Sequence, residues 1–258
     1  MIDIAMVSCN RCRITATAIR EIKARTTTPY RLLVLDNGSE DDSVRMLQAH
    51  YEKGYIDVLV LLKENTGIHW AHNTLLDMVE SRPYYVCTDN DLVPCVPVDG
   101  KDWLERLIDL AERNPDYGAI ACRPHILIGE GGGLFRDSLE IKDRGHVGAH
   151  LRIMKTDDVK ATGWKREKRP ARNHEEKTIC GALRKRGLRI GYSRDIRSIH
   201  LFGEKDQGED PWGYPETSDH KARGHRDIWP PVDAFQWRKR GVDWETCKRE
   251  DGGVEANG

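Results

Sequence analysis

A mostly parallel β-sheet flanked by helices, an α/β sandwich, is the fold that the sequence predicts. Short apolar runs alternate with amphipathic helical stretches through the first half of the 258-residue chain. Strand–helix–strand units of this kind close right-handed and pair in parallel. Each apolar run also stops in a polar cluster: Ser8 to Asn10, Asp36 to Ser39, Glu64 to Gly67 and Asp89 to Asp91. Ligands in such sheets bind beyond the carboxyl ends of the strands, and all four clusters fall there.

The elements follow in order. Ile2 to Val7 is a short apolar strand. Thr15 to Arg25 is a helix with Ile14, Ala18, Ile19 and Ile22 along one face. Arg31 to Leu35 is the second strand. Ser39, with Asp42 three residues on, has the pattern of a capping box opening a helix that runs to about Lys53. Asp57 to Leu62 is the third strand, Ile68 to Glu80 a helix and Tyr84 to Thr88 the fourth strand. Beyond it, Asp102 to Arg113 is an amphipathic helix, Ala119 to Cys122 and Leu151 to Met154 are strands, Glu175 to Arg186 is a helix closed by Gly187, and Leu188 to Tyr192 is a strand. Gly129 to Gly133 is a flexible loop without the strand-to-helix setting of a phosphate cradle. The expected division is one domain at 1–203, in halves 1–95 and 96–203, followed by a lid or tail at 204–258.

Composition sets outer limits. Hydrophobic residues make up 38% and charged residues 32%, which suits a folded domain with a polar surface. No run of 18 apolar residues occurs, so no membrane span is expected. The start MIDIAMVSCN lacks a signal-peptide pattern, and a cytoplasmic location is the expectation. Seven scattered cysteines point to reduced, packed thiols, and Cys9-Asn10-Arg11-Cys12 is a lone CxxC without a partner pair. Between Arg152 and Arg197 there are 15 basic and 6 acidic residues, net +9. That excess fits either an anionic partner, nucleic acid included, or a solvated basic face.

The sharpest local pattern is Asp89-Asn90-Asp91, immediately after the buried-strand sequence Tyr84-Tyr85-Val86-Cys87. Carboxylates at i and i+2 of an extended segment project to the same side and repel unless something compensates their charge. A hard divalent cation bridging to phosphates would do so. A solvated turn is the alternative for the tripeptide by itself.

Several segments in order resemble glycosyltransferase family 2, with the GT-A nucleotide-diphospho-sugar transferase fold. VSCNRCRITATAI is similar to the family's first strand and helix, and LLVLDNGSEDDS to its second strand and aspartate turn. ENTGIHWAHNTLL resembles the N-x-G…N segment, TDNDLVP the D-x-D, NHEEKTICGALRKRGLRI the acidic pair opening a helix, and SIHLFGE the late histidine segment. Together they span residues 4 to about 203.

The resemblance implies roles. Asp36 would accept a hydrogen bond from the donor's base, which favours a UDP-linked sugar because uracil offers an imide N–H; the lesser alternative is a turn aspartate that caps the next helix. Asn10 would lie beside base or ribose, and Asn65, Gly67 and Asn73 would shape the nucleotide pocket, although Gly67 could serve only a tight turn. Asp89 would face ribose and metal, Asp91 would bind the metal, and His200 would complete the site; as a core histidine His200 would need no ligand. The metal would be Mn²⁺, or Mg²⁺. Of Glu175 and Glu176, where the family places its catalytic acid pair, Glu176 is favoured as the base, while two glutamates in a first helical turn also complement the helix dipole. The implied reaction is metal-dependent, inverting transfer of a sugar from a nucleotide-diphospho-sugar to a hydroxyl, with 1–95 as the nucleotide-sugar half and 96–203 as the acceptor half of a glycosyltransferase domain.

A Q-x-x-R-W segment is absent, so single transfers are expected rather than polymer extrusion. The acceptor could be a glycan, a lipid-linked glycan or a hydroxylated base in DNA. Arg166, Lys168, Arg169 and Arg172, with Trp212, Tyr214, Trp229 and Trp237, are the basic and aromatic residues that would meet it. Two rival readings are a nucleotidyltransferase acting on a sugar phosphate, which lacks its Gly-rich loop here, and a non-catalytic nucleotide-sugar-binding module.

Overall fold

The computed structural model describes residues 1–95, 100–124, 141–164 and 175–201, with two strands at 234–239 and 245–248. The first half is built as its pattern dictates: β1 (Ile2–Ser8), α1 (Cys12–Arg25), β2 (Tyr30–Asp36), α2 (Ser43–Glu52), β3 (Val58–Leu61), α3 (Ile68–Met78) and β4 (Tyr84–Asp89). β1 pairs in parallel with β2 on one side and β4 on the other, and β3 joins β2. Ser8 thereby stands beside Asp36, and Val7 beside Asp89. Register alone brings three of the polar clusters to one edge.

The second half adds β5 (Leu92–Pro94), α4 (Trp103–Arg113), β6 (Tyr117–Pro124), β7 (Ile141–Asp143), β8 (Arg152–Lys155), α5 (Thr156–Thr162), α6 (Glu175–Lys185) and β9 (Arg189–His200). The sheet runs β3-β2-β1-β4-β8-β6-β9-β5, with β7 against β9. Here the pairing is largely antiparallel, the β6–β9 pair excepted. Parallel character therefore belongs to the first half, while β8 enters antiparallel between β4 and β6. The stretch expected as lid or tail contributes β10 (Ala234–Lys239) and β11 (Glu245–Lys248), which extend the sheet antiparallel from β3.

Two apolar layers hold the sheet. Alternate residues of β1 face opposite ways: Ile4 and Met6 pack with α1, α2 and α4, while Ala5 and Val7 pack with α3 and α6. Burying each large aliphatic side chain contributes about 1.5–3 kcal/mol, so doubly covered strands anchor the edge on which the polar residues stand. Two side chains pin loops at the other end. Asp3 is buried and accepts from Arg31 Nε and Nη2 (2.7 and 2.8 Å) and from the backbone of Glu80 and Ser81 (2.6 and 2.8 Å). Asp102 caps α4 through Leu104 and Glu105 N–H and also gathers both Thr27 and Thr28.

One expected cap does not form. α2 starts at Ser43 after Asp42, with no side-chain cap, and Ser39 lies outside it. The Ser39 hydroxyl is engaged by Asp36 and Asn10 instead. The glycine stop of α6 is as expected: Gly187 takes φ +85, and its N–H bonds the Arg184 carbonyl at 2.9 Å. All cysteines among the described side chains are free thiols, including Cys9 and Cys12.

Candidate active site

The site begins at Asp36, the last residue of β2 and completely buried. It accepts the Ser39 N–H at 2.9 Å and a very short bond from the Ser39 hydroxyl. Burial nevertheless pushes its carboxyl up to about 6, because two hydrogen bonds do not replace the lost hydration. Ser39 Oγ also accepts the Asn10 N–H (2.7 Å), and Asn10 Oδ1 accepts the Glu40 N–H (2.8 Å). The loop after β1 is thus tied to the loop after β2.

A second set of bonds draws in the loop after β3. Asn37 donates to Asn65 Oδ1 (3.1 Å) and accepts from Thr66 N and Oγ1 (3.0 Å each). Asn65 also accepts the Gly67 N–H at 2.9 Å. Gly67 takes φ +87 just ahead of α3, and Gly38, at φ +71, lies against the backbone of Glu64 and Asn65 so closely that a Cβ would overlap it. Asn73 lies deeper: it donates to the Trp164 carbonyl and accepts the Trp164 N–H, both at 2.8 Å. Its described contacts hold the 163–164 turn against α3.

The D-x-D sits at the end of β4. Asn90 faces inward and donates to Thr15 Oγ1 (2.7 Å), with longer contacts to Ser8 Oγ and the Asn10 carbonyl. Asp91 is buried, and its Oδ2 receives Arg11 Nη1 at 2.7 Å. The charge compensation that the acid pair demanded is supplied here by an arginine eighty residues earlier in the chain. The backbone brings His200 alongside, since it pairs with Leu92 and the next N–H, that of Leu201, bonds the Asp91 carbonyl at 2.8 Å. The His200 side chain lies outside the described residues.

The acid pair of α6 arrives from the other face. Tyr85, Cys87 and Asp89 alternate onto the side of β4 that packs with α3 and α6, which is why Glu175 meets Asp89. Burial, a hydrogen bond with Glu176 and the Asp89 charge together push Glu175 well above the usual carboxylate range, and Arg152 pulls the other way. Arg152, on β8 opposite Cys87, is completely buried. It donates to the Val147 carbonyl (2.9 Å) and contacts Cys87 Sγ (3.8 Å). His72 lies below, 3.6 Å from the same sulfur and stacked on Trp164; burial and the Arg152 charge push its imidazole down to about 3, so it stays neutral.

Thus Asn10, Asp36, Asn65, Gly67, Asp89, Asp91 and the Glu175–Glu176 pair gather along one edge of the sheet. Arg11, Asn37, Ser39, Asn90 and Arg152 are the site residues that sequence reasoning did not single out. Among the described residues no group of three or more His, Cys, Asp and Glu is placed to hold a metal ion. Two carboxylates of the D-x-D do suit a hard cation that takes its remaining ligands from phosphates and water, the usual manner for Mg²⁺-like sites. The Gly129–Gly133 loop, Arg166, Lys168, Arg169, Arg172, Trp212, Tyr214 and Trp229 lie outside the described residues, as does the Trp237 side chain.

A parallel β3-β2-β1-β4 core with acids at its carboxyl edge, extended by antiparallel strands, defines a GT-A-type fold. The chain belongs to glycosyl transferase family 2, whose model matches residues 3–184. Solved structures with the same fold include the mannosyltransferase PcManGT from Pyrobaculum calidifontis in complex with GDP-Man and Mn²⁺ (16% identity, TM-score 0.62, 79% of this chain and 57% of that one). Others are GalNAc-T7 with UDP, GalNAc and Mn²⁺ (12%, 0.63, 80% and 44%) and residues 1–349 of S. aureus TarS with UDP-GlcNAc (15%, 0.57, 79% and 60%). The chain spans about half the length of these structures, and at such identities the likeness establishes the fold alone. No curated protein matches the chain by sequence. No helix among the described residues is long and apolar enough to cross a membrane.

Proposed function

We propose that this chain transfers a sugar from a nucleotide-diphospho-sugar to a hydroxyl acceptor, with inversion at the anomeric carbon. The observation that carries the reading is the convergence of a buried carboxylate, Asp36, the D-x-D and the Glu175–Glu176 pair on one sheet edge. Asp36 binds the donor's base and Asn10 and Asn65 flank it; an imide-bearing base such as uracil matches the acceptor that Asp36 offers. Asp89 and Asp91, with His200 alongside, hold Mn²⁺ or Mg²⁺. The ion supplies neutralisation of the charge that develops on the leaving diphosphate.

Two carboxyl groups that share a hydrogen bond must share a proton. Burial and Asp89 place that proton on Glu175, so Glu176 is the acceptor of the pair and the base for the attacking hydroxyl. Gly67 and Asn73 act further back, as turn and brace. The acceptor class is open to a salt titration. Of the basic 152–197 region, Arg152 is buried, Arg186 bonds Asp158, and Arg189 bonds Asp116 and Asp143, so these charges are already committed.

The test is a thermal-shift panel of nucleoside diphosphates and their sugars, with and without Mn²⁺, followed by NMR of the product anomer. Stabilisation by one nucleotide sugar and release of its diphosphate on transfer are the expected result. Stabilisation by a nucleoside triphosphate with a sugar phosphate would instead identify a nucleotidyltransferase, and binding without turnover a binding module.

A further inference from the structure

We infer that Arg11 is a resident counter-ion for Asp91 that opposes metal binding until a nucleoside diphosphate arrives, so that ion and donor bind cooperatively. The inference rests on the D-x-D metal site proposed above. Its starting point is the contact itself: Arg11 Nη1 lies 2.7 Å from Asp91 Oδ2, with side chains 27% and 8% exposed. A buried carboxylate needs a cation or several donors. Here the guanidinium fills that need.

The backbone is arranged to put it there. Asn10 and Arg11 take φ +57 and +64 in succession, a left-handed conformation that non-glycine residues adopt at a cost. Such strain persists where surrounding contacts over-determine it. Here those contacts are the Ser39 and Glu40 bonds to Asn10 and the Asp41 carboxylate on the Cys12 N–H (3.0 Å). The result directs a long basic side chain from the end of β1 to the end of β4, the two strands that flank the diphosphate position.

Whichever Asp91 oxygen a divalent ion takes, it comes within a few ångströms of this guanidinium, and the two cations repel. Ion alone must therefore displace Arg11 or tolerate it. A diphosphate changes the balance, because it brings negative charge enough for both cations, and its oxygens match the guanidinium fork. Binding of either ligand then favours the other by the same factor.

The experiment measures Mn²⁺ binding by the EPR signal of the free ion, first alone and then with saturating UDP or GDP. Wild type, Arg11→Gln, Arg11→Ala and Arg11→Lys are compared as folded proteins. The neutral variants should bind Mn²⁺ alone about tenfold more tightly than wild type, the scale of one charge-assisted hydrogen bond, and should lose about as much of the gain from added nucleotide. Arg11→Lys keeps the charge and should bind Mn²⁺ alone as wild type does. Equal or weaker Mn²⁺ binding by both neutral variants, or a lysine variant as tight as they are, would overturn this inference alone. No Mn²⁺ binding by any of the proteins with either nucleotide would overturn the metal site, and this inference with it.

Discussion

Replacing Asp36 with asparagine should make the ligand-free protein more stable at alkaline pH and a poorer nucleotide binder. Asp36 is completely buried, and its carboxyl is raised from 3.8 to about 6. Because the folded state holds this proton more tightly than the unfolded chain, the stabilising contribution is full below 3.8 and is lost as pH rises through about 6. Roughly two units at about 1.4 kcal/mol each means ionised Asp36 costs about 3 kcal/mol above that range. Asparagine is isosteric and never ionises. It keeps one of the two Ser39 bonds and forfeits the other, worth about 1 kcal/mol. The net expectation is a gain of about 2 kcal/mol at pH 8, fading or reversing by pH 4. Urea unfolding of both proteins at the two pH values measures it. Nucleotide affinity, by calorimetry, should fall by about tenfold or more as the charged acceptor disappears. A variant destabilised equally at both pH values would refute the argument, since burial of the charge would then not be what raises the carboxyl.

Three further outcomes follow from the same geometry. Glu176→Gln should lower kcat by about 100-fold or more, the usual worth of a general base, while Glu175→Gln, whose amide can still donate to Glu176, should stay within about tenfold of wild type; the reverse order would exchange their roles. Gly38→Ala should cost roughly 1–3 kcal/mol and weaken nucleotide binding, because the new Cβ needs a left-handed backbone and overlaps Glu64; unfolding and binding assays check both. Asp3→Asn should cost about 1.5–3 kcal/mol at pH 7 by removing the carboxylate that Arg31 bonds twice, with Glu80 left as the guanidinium's other partner. Hydrogen bonds from Arg31, Glu80 and Ser81 overcome burial and hold the Asp3 carboxyl below 3.8, so its contribution is present above that value and lost as pH falls through the lower folded one. The gap between wild type and variant in urea should accordingly narrow by pH 3.

Periodicity made the first half of the chain legible. Where strands are covered on both faces, as β1, β2 and β4 are, apolar runs have one comfortable reading, and a polar residue such as Asp36 or Asp89 marks the exit. What stayed hidden depends on contacts far apart in the chain. Ser39 with Asp42 has the local pattern of a cap, yet the buried Asp36 needs the hydroxyl more than the helix does, so the serine goes to the carboxylate. Arg11 stood in the quoted segment around Asn10, and the acid pair called for a cation, but only the fold brings residues 11 and 91 together. Arg152 read as part of the strand run Leu151 to Met154. Its burial follows from β8 entering beside β4, an antiparallel insertion with no local signal.

That insertion links stability to chemistry on the α6 side. β4 turns one face, Tyr85, Cys87 and Asp89, toward a buried floor that contains Arg152 and His72, while Glu175 rests on the same floor from above. His72 is neutral, and burial raises the Cys87 thiol to about 12, so neither brings a charge to offset Arg152. The Val147 carbonyl offers a dipole only. Among the described groups around Arg152, Glu175 is the carboxyl, and the Arg152 charge draws it toward ionisation. Asp89 acts on Glu175 in the opposite sense. The proton of the Glu175–Glu176 pair is thus set by a contest between a buried arginine on β8 and an acid at the end of β4, and both positions are fixed by the same β4–β8 register. A change in that floor reaches the Glu175–Glu176 pair through charge even when no atom of the pair moves.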